Sequence, residues 1–104
     1  MQQDGMLQVR AQLCSQIDGL RAGVATAPVR ALCDRASDVR HLAQRYDLRP
    51  VADLAWKLES RLARGERGST VLDVLTLMRE ATESGRNDAQ AASAWTAAAS
   101  VRLM

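Results

Sequence analysis

The stretch PVRALCDRASDVRHLAQRYDLRPVADLAWKLESRL, residues 28–62, decides the fold. Val29, Leu32, Cys33, Ala36, Val39, Ala43 and Tyr46 recur at spacings of three and four, which places them on one face of a helix. The opposite face carries Asp34, Ser37, Asp38, His41, Gln44 and Arg45. Thr26 is a good N-cap ahead of this run, and Pro28 falls in the first turn, where its missing N–H costs nothing. Asp47-Leu48-Arg49-Pro50 then interrupts the pattern, because a proline biases the preceding residue out of the helical region. A second stripe follows at once: Val51, Leu54, Ala55, Leu58 and Leu62 predict a helix from Pro50 to about Ala63, with Asp53 and Lys57 an i,i+4 pair on its outside.

Working outward, Met6, Val9, Leu13, Ile17 and Leu20 form the same kind of stripe on a helix from Gly5 or Met6 to Arg21, with Asp4 as its cap. Gly19 weakens its last turn and Gly23 stops it. Arg64-Gly65-Glu66-Arg67-Gly68 reads as a short loop, after which Ser69 caps a helix bearing Val71, Val74, Leu75, Met78 and Ala81. Leu72 and Leu77 lie off that stripe, so this helix is expected to be buried on more than one face; Gly85 ends it. Asn87 or Asp88 caps a final Ala-rich helix anchored by Trp95, which buries little area and serves either as a fraying end or as a docking surface. Short connections favour antiparallel neighbours. The expectation is an all-α, single-domain chain over residues 1–104: an antiparallel, up-and-down four-helix bundle with an additional helix.

Composition points the same way. The chain is rich in Ala and Leu, the strongest helix formers, and has no Phe, one Tyr and two Trp. A chain of 104 residues is long enough to bury a core without a metal or disulfides. The net charge is +2, Lys57 is the only lysine, and acidic and basic residues alternate without a basic stripe or tail, which argues against nucleic acid as a partner. No segment approaches the roughly 18 apolar residues of a membrane span, and MQQDGMLQVR lacks a basic-then-apolar signal layout, so no membrane association and a cytoplasmic location are expected. Cys14 and Cys33 fit that compartment as buried thiols. They lie about equally far from the turn near Gly23, so a disulfide between them is geometrically conceivable.

Constellations for stand-alone catalysis are mostly absent. With one histidine and no C-x-x-C pair, four-ligand zinc would need extra carboxylates, and no glycine-rich phosphate loop occurs, so neither metal nor cofactor is expected. His41 is the residue to weigh, on the polar face beside Arg40, Gln44 and Arg45. It is either a solvent-exposed histidine without a role or a phosphoryl acceptor. A neutral imidazole nitrogen is a competent nucleophile near pH 7, and nearby cations stabilise phosphoryl oxygens. Trp56 falls off the Val51–Leu58 stripe; it marks a contact surface or packs under the final helix, where Trp95 lies.

The run from Tyr46 to Ala81, YDLRPVADLAWKLESRLARGERGSTVLDVLTLMREA, resembles the second half of a histidine phosphotransfer (HPt) domain. In that family a histidine-bearing helix is followed by a short turn and a helix ending in Leu-Glu, then a basic stretch, a Gly-containing loop and a Leu-rich helix. Leu58-Glu59, Arg61 with Arg64, and Gly65 match that order, over about a third of the chain. The core motif departs. The family has His-x-Leu-Lys-Gly, whereas His41 is followed by Leu42-Ala43-Gln44-Arg45, with no lysine three residues on and Arg45 at the glycine position. Anchoring on Leu58-Glu59 puts the family's histidine at Ser37, one helical turn from His41 on the same face. A second run, SRLARGERGSTVLDVLTLMREA, looks like the end of a repressor-type helix-turn-helix, but the continuous helix before it leaves no room for the turn and recognition helix.

What the HPt resemblance implies is a bacterial-type phosphorelay protein without autonomous catalysis. His41 would exchange a phosphoryl group with a receiver domain, and Arg40, Gln44, Arg45, Lys57 and Ser37 would contact that group or the partner. The competing expectation is a non-catalytic helical adaptor, chaperone or dimerisation module, a degenerate HPt-like bundle that has lost phosphotransfer. It would bind a signalling or other protein, or a second copy of itself, through Trp56 and Trp95.

Overall fold

A computed structural model describes residues 2–84, with side chains from Gly5 onward. The described residues are all-helical: α1 (Gln2–Gly23), α2 (Val29–Arg45), α3 (Arg49–Ala63) and α4 (Ser69–Ser84). Each helix packs on its sequence neighbours and α1 closes on α4, while the backbones of the two diagonal pairs stay more than 8 Å apart. The four helices therefore form a ring around one core. The expected final helix, its Asn87 or Asp88 cap, Gly85 and Trp95 lie outside the described residues.

The four apolar stripes converge on that core. Leu13, Ile17 and Leu20 enter from α1, Leu32 and Val39 from α2, Leu54, Leu58 and Leu62 from α3, and Leu75, Leu77 and Met78 from α4, all essentially inaccessible to water. Full burial of such side chains contributes about 1.5–3 kcal/mol each, and this term holds the ring together. Leu77 is buried and Leu72 partly so, which bears out the expectation that α4 is covered on more than one face. Thr82 is the one buried polar side chain among the described residues, and its hydroxyl donates to the Met78 carbonyl at 2.8 Å. Along the α1–α4 seam, Arg67 donates to the Val24 carbonyl, Arg21 to Thr76 Oγ1 at 2.7 Å, and Arg79 to Asp18.

Helix ends differ from the sequence expectation in several ways. Asp4 is not a cap; α1 begins at Gln2 and runs through Gly5, which lowers propensity without breaking a helix. Gly23 ends α1 without the left-handed conformation of a glycine cap, since Gly65 is the only described glycine with positive φ. What Gly23 provides is space: a Cβ there would lie 3.3 Å from Nη1 of Arg35 on α2. Thr26 does not cap α2 either. Pro28 is the N-cap, its fixed φ near −60° joined to an extended ψ of 147°, and its carbonyl accepts from the Leu32 N–H.

Neither α2 nor α3 runs out by fraying. Asp47, at φ 57°, stands in the left-handed region just after α2; its N–H reaches the Gln44 carbonyl and the Leu48 N–H reaches the Ala43 carbonyl at 2.8 Å. Leu48 is thereby folded back into the core. Gly65 repeats the arrangement after α3, with the Gly65 N–H on Leu62 and the Glu66 N–H on Arg61. The break after α2 is thus made by Asp47 as well as by Pro50, and α3 starts one residue ahead of the proline, at Arg49. Tyr46, expected on the apolar stripe, is at the C-cap and 42% exposed because the chain turns there.

The candidate surface on the second and third helices

His41 is exposed near the C-terminal end of α2. Helical spacing places Ser37 one turn before it, half-buried, and Gln44 and Arg45 one turn after it, both exposed. The imidazole is thus open to a docking partner and flanked on its own helix by a hydroxyl, an amide, a guanidinium and, three residues back, the exposed carboxylate of Asp38.

Arg40 is engaged elsewhere. Its Nε donates to Glu59 Oε2 at 2.6 Å and its Nη2 to Glu59 Oε1 at 3.4 Å, a side-on pair that ties α2 to α3 while both side chains are about three-quarters covered. Lys57 stands two residues before Glu59, about 200° round the helix from it, so the flank of α3 that meets Arg40 is not the flank that carries Lys57. Of the expected phosphoryl contacts, the structure gathers Ser37, Gln44 and Arg45 around His41 and assigns Arg40 to Glu59.

Trp56 lies three residues before Glu59, about one turn back along α3, and is 64% exposed. His41 directly follows Arg40, so His41 and Trp56 both sit within about a turn of the Arg40–Glu59 contact. A shallow hollow of about 190 Å³ lies at the α2–α3 turn, lined by Gln44, Asp47, Leu48, Arg49, Ala52 and Asp53. Sequence reasoning missed this hollow, since Asp47 and Asp53 come together only through the left-handed turn.

The cysteines are both free thiols. Their surroundings differ: burial pushes the Cys33 thiol up, with the Glu59 and Asp34 carboxylates adding to it, whereas burial pushes up Cys14 against the opposing charge of Arg79, with Glu83 and Asp18 also raising it. Cys14 on α1 thus feels the charges of Arg79 and Glu83 on α4, whereas Cys33 on α2 feels that of Glu59 on α3, and the two thiols are not joined. In the Cys14 environment, hydrogen bonds from Arg79 to Asp18 and to Glu83 hold the guanidinium well above its usual pKa.

Among the described residues no group of three or more His, Cys, Asp and Glu could hold a metal ion, and no helix is long and apolar enough to cross a membrane. No protein-family model matches the chain, and neither does a curated protein or a solved structure.

Proposed function

We propose that this chain is an HPt-like phosphorelay bundle of antiparallel, up-and-down helices in which His41 accepts and passes on a phosphoryl group. The observation that carries the reading is the exposed imidazole on α2, set between Ser37 and the Gln44–Arg45 pair on the outer face of a four-helix ring. The antiparallel order of α1 and α4 is supported by their pairings: Arg21 with Thr76 and Asp18 with Arg79 step down one helix as they step up the other, and Val24, just past α1, meets Arg67, just ahead of α4.

In the transfer, the lone-pair nitrogen of neutral His41 attacks the phosphorus of an aspartyl phosphate on a receiver domain. The N–P bond forms, the acyl O–P bond breaks, and the receiver's aspartate leaves as a free carboxylate. The second ring nitrogen keeps its proton. Arg45 and the Gln44 amide then face the phosphoryl oxygens one turn along the helix, where charge-assisted hydrogen bonds are strongest. Arg45 stands where the family has glycine, so a receiver able to use this site must tolerate a large cation beside the imidazole.

Exposure of Trp56 favours a second reading, a bundle that works by stable binding and is indifferent to His41. Both are tested by phosphoryl transfer from a panel of phosphorylated receiver domains to wild type and to His41→Gln. An acid-labile label on wild type that disappears in the variant supports the phosphorelay reading. No label from any receiver, with concentration-dependent mass by light scattering that Trp56→Ala abolishes, replaces it with the binding module.

A further inference from the structure

The connection from α1 to α2 and the loop from α3 to α4 meet at one end of the ring, where Arg67 reaches the Val24 carbonyl at 3.5 Å. Residues 21–30 bring Arg21 and Arg30 to this end and no carboxylate; residues 61–68 bring Arg61, Arg64 and Arg67 with Glu66. Five arginines thus stand against one acid, an excess of four positive charges where the whole chain carries +2. The remainder of the chain is therefore net negative, and the positive charge belongs to this end. Two separate stretches supply it, and only the fold joins them.

Little inside the fold compensates this excess. Arg61 pairs with Glu66 at 3.5 Å, and the Thr70 hydroxyl also donates to Glu66 at 3.2 Å. Arg21 and Arg67 donate only to uncharged acceptors, Thr76 Oγ1 and the Val24 carbonyl. Arg30 and Arg64 are exposed and make no ion pair among the described residues. Asp34, one turn beyond Arg30, does not pair with it, and the charge of Asp34 is offset by Arg35 beside it. Arg21 and Arg61 stand in the last turns of α1 and α3, where the macrodipole favours a cation. Arg30 is the second residue of α2 and Arg67 stands two residues ahead of α4, at N-termini that repel cations. Neither first turn holds an acid to offset them. Helix stability thus does not account for Arg30 and Arg67, whereas an anionic partner would.

We propose that this end of the bundle docks an acidic, Asp- and Glu-rich segment of a partner protein, with its carboxylates on Arg30, Arg64 and Arg67. Guanidinium forks hold carboxylates bidentately, and complementary charge steers the encounter. The exposed large hydrophobics among the described residues, Leu7, Tyr46 and Trp56, all lie outside the two stretches. The surface therefore offers bases no aromatic to stack on and a bilayer no large side chain to insert. Its few free guanidinium groups also fall short of the roughly 6–10 phosphate contacts of a strongly salt-dependent DNA binder. Arg30 lies about 16 Å along α2 from His41, so the surface is independent of the phosphoryl site.

The test is fluorescence anisotropy of a labelled octaglutamate peptide titrated with the full chain at low salt, with a Gly-Ser octapeptide as the neutral control. Arg30→Glu and Arg49→Glu form a matched pair: each lowers the net charge by two and puts an acid into the first turn of a helix that has none. Urea midpoints of both variants confirm that each is folded. Saturable binding of octaglutamate alone, weakened roughly tenfold or more in Arg30→Glu and less than about twofold in Arg49→Glu, supports the surface. Equal weakening in the two variants would reduce the binding to net charge and overturn the proposal. So would binding that never saturates, or tighter binding of a duplex oligonucleotide or of phosphatidylserine vesicles.

Discussion

Asp47 is a non-glycine residue held at φ 57°, and replacing it by glycine should stabilise the protein. Left-handed backbone costs an ordinary L-residue about 1–2 kcal/mol, and aspartate less because its short side chain bonds locally. Glycine removes that cost but loses more entropy on folding, by about 0.4–1 kcal/mol. The two capping hydrogen bonds, from Asp47 to Gln44 and from Leu48 to Ala43, are made by backbone and survive the change. The expected net gain for Asp47→Gly is about 0.5 kcal/mol, and for a domain of this size each kcal/mol moves Tm by about 4–8 °C. Asp47→Ala, which keeps the strain and loses the side chain, should be destabilised by about 1 kcal/mol. Gly65→Ala tests the same geometry from the other side, since Gly65 holds φ 84° with equivalent bonds, and it should lose about 1 kcal/mol. Urea unfolding followed by circular dichroism measures all three. The order Gly above Asp above Ala at position 47, with Gly65 intolerant of alanine, is the signature. An Asp47→Ala variant as stable as Asp47→Gly would refute the left-handed cap and with it the account of how α2 turns into α3.

A double-mutant cycle on Arg40→Ala and Glu59→Ala should return a coupling of about 1 kcal/mol, the upper range for partly exposed pairs, because the side-on geometry is good and both groups are largely covered; a coupling near zero at low salt would mean the pair is incidental. Where transfer to His41 is detectable, Arg45→Ala should slow it more than Arg40→Ala, since Glu59 already holds Arg40; equal slowing in single-turnover assays would contradict that division. Burial raises both thiols above their ordinary value of 9.0, so the folded state holds those protons longer than the unfolded chain. Their contribution to stability is therefore complete below pH 9.0 and is lost as pH rises through the folded values. The urea midpoint should fall above that pH, and less steeply in the Cys14→Ser, Cys33→Ser double variant; identical slopes would remove the thiols from the account. Reductant should leave Tm unchanged, because neither cysteine is in a disulfide.

The helical stripes are legible in the sequence because burial imposes a period, and the period is written in the order of apolar residues. Spacing alone places Leu13, Ile17, Leu32, Val39, Leu54, Leu58, Val74 and Met78 in the core, and all are buried. The ends of helices are less legible because several competing chemistries end a helix. Thr26 has the right side chain for a cap, yet Pro28 supplies the turn through a fixed φ and a free carbonyl. Gly23 has the residue type of a left-handed cap but is used for clearance beneath Arg35. Asp47 has neither glycine's freedom nor a cap's usual signature, yet adopts the left-handed conformation because Leu48 must be folded into the core.

The candidate surface divides along the same line. Which residues share a face of one helix follows from their spacing, so Ser37, His41, Gln44 and Arg45 group together in the sequence, and His41 is exposed as that face requires. Which residues meet across two helices depends on the rotation of each helix about its axis, and no spacing within one helix encodes it. Spacing therefore groups Arg40 with His41, whereas α3 holds it through Glu59. Lys57, expected to contact the same phosphoryl group, lies about 200° from the residue of α3 that meets α2. Along their helices His41 and the exposed Trp56 each lie within about a turn of that contact, so the imidazole and the indole, the two rival functional groups, stand at similar height on α2 and α3. A partner that docks over His41 and spans both helices would meet Trp56 as well. Truncating Trp56 would then weaken a transient phosphotransfer encounter as readily as a stable complex, so Trp56→Ala separates the two readings only when read beside the label on wild type and on His41→Gln.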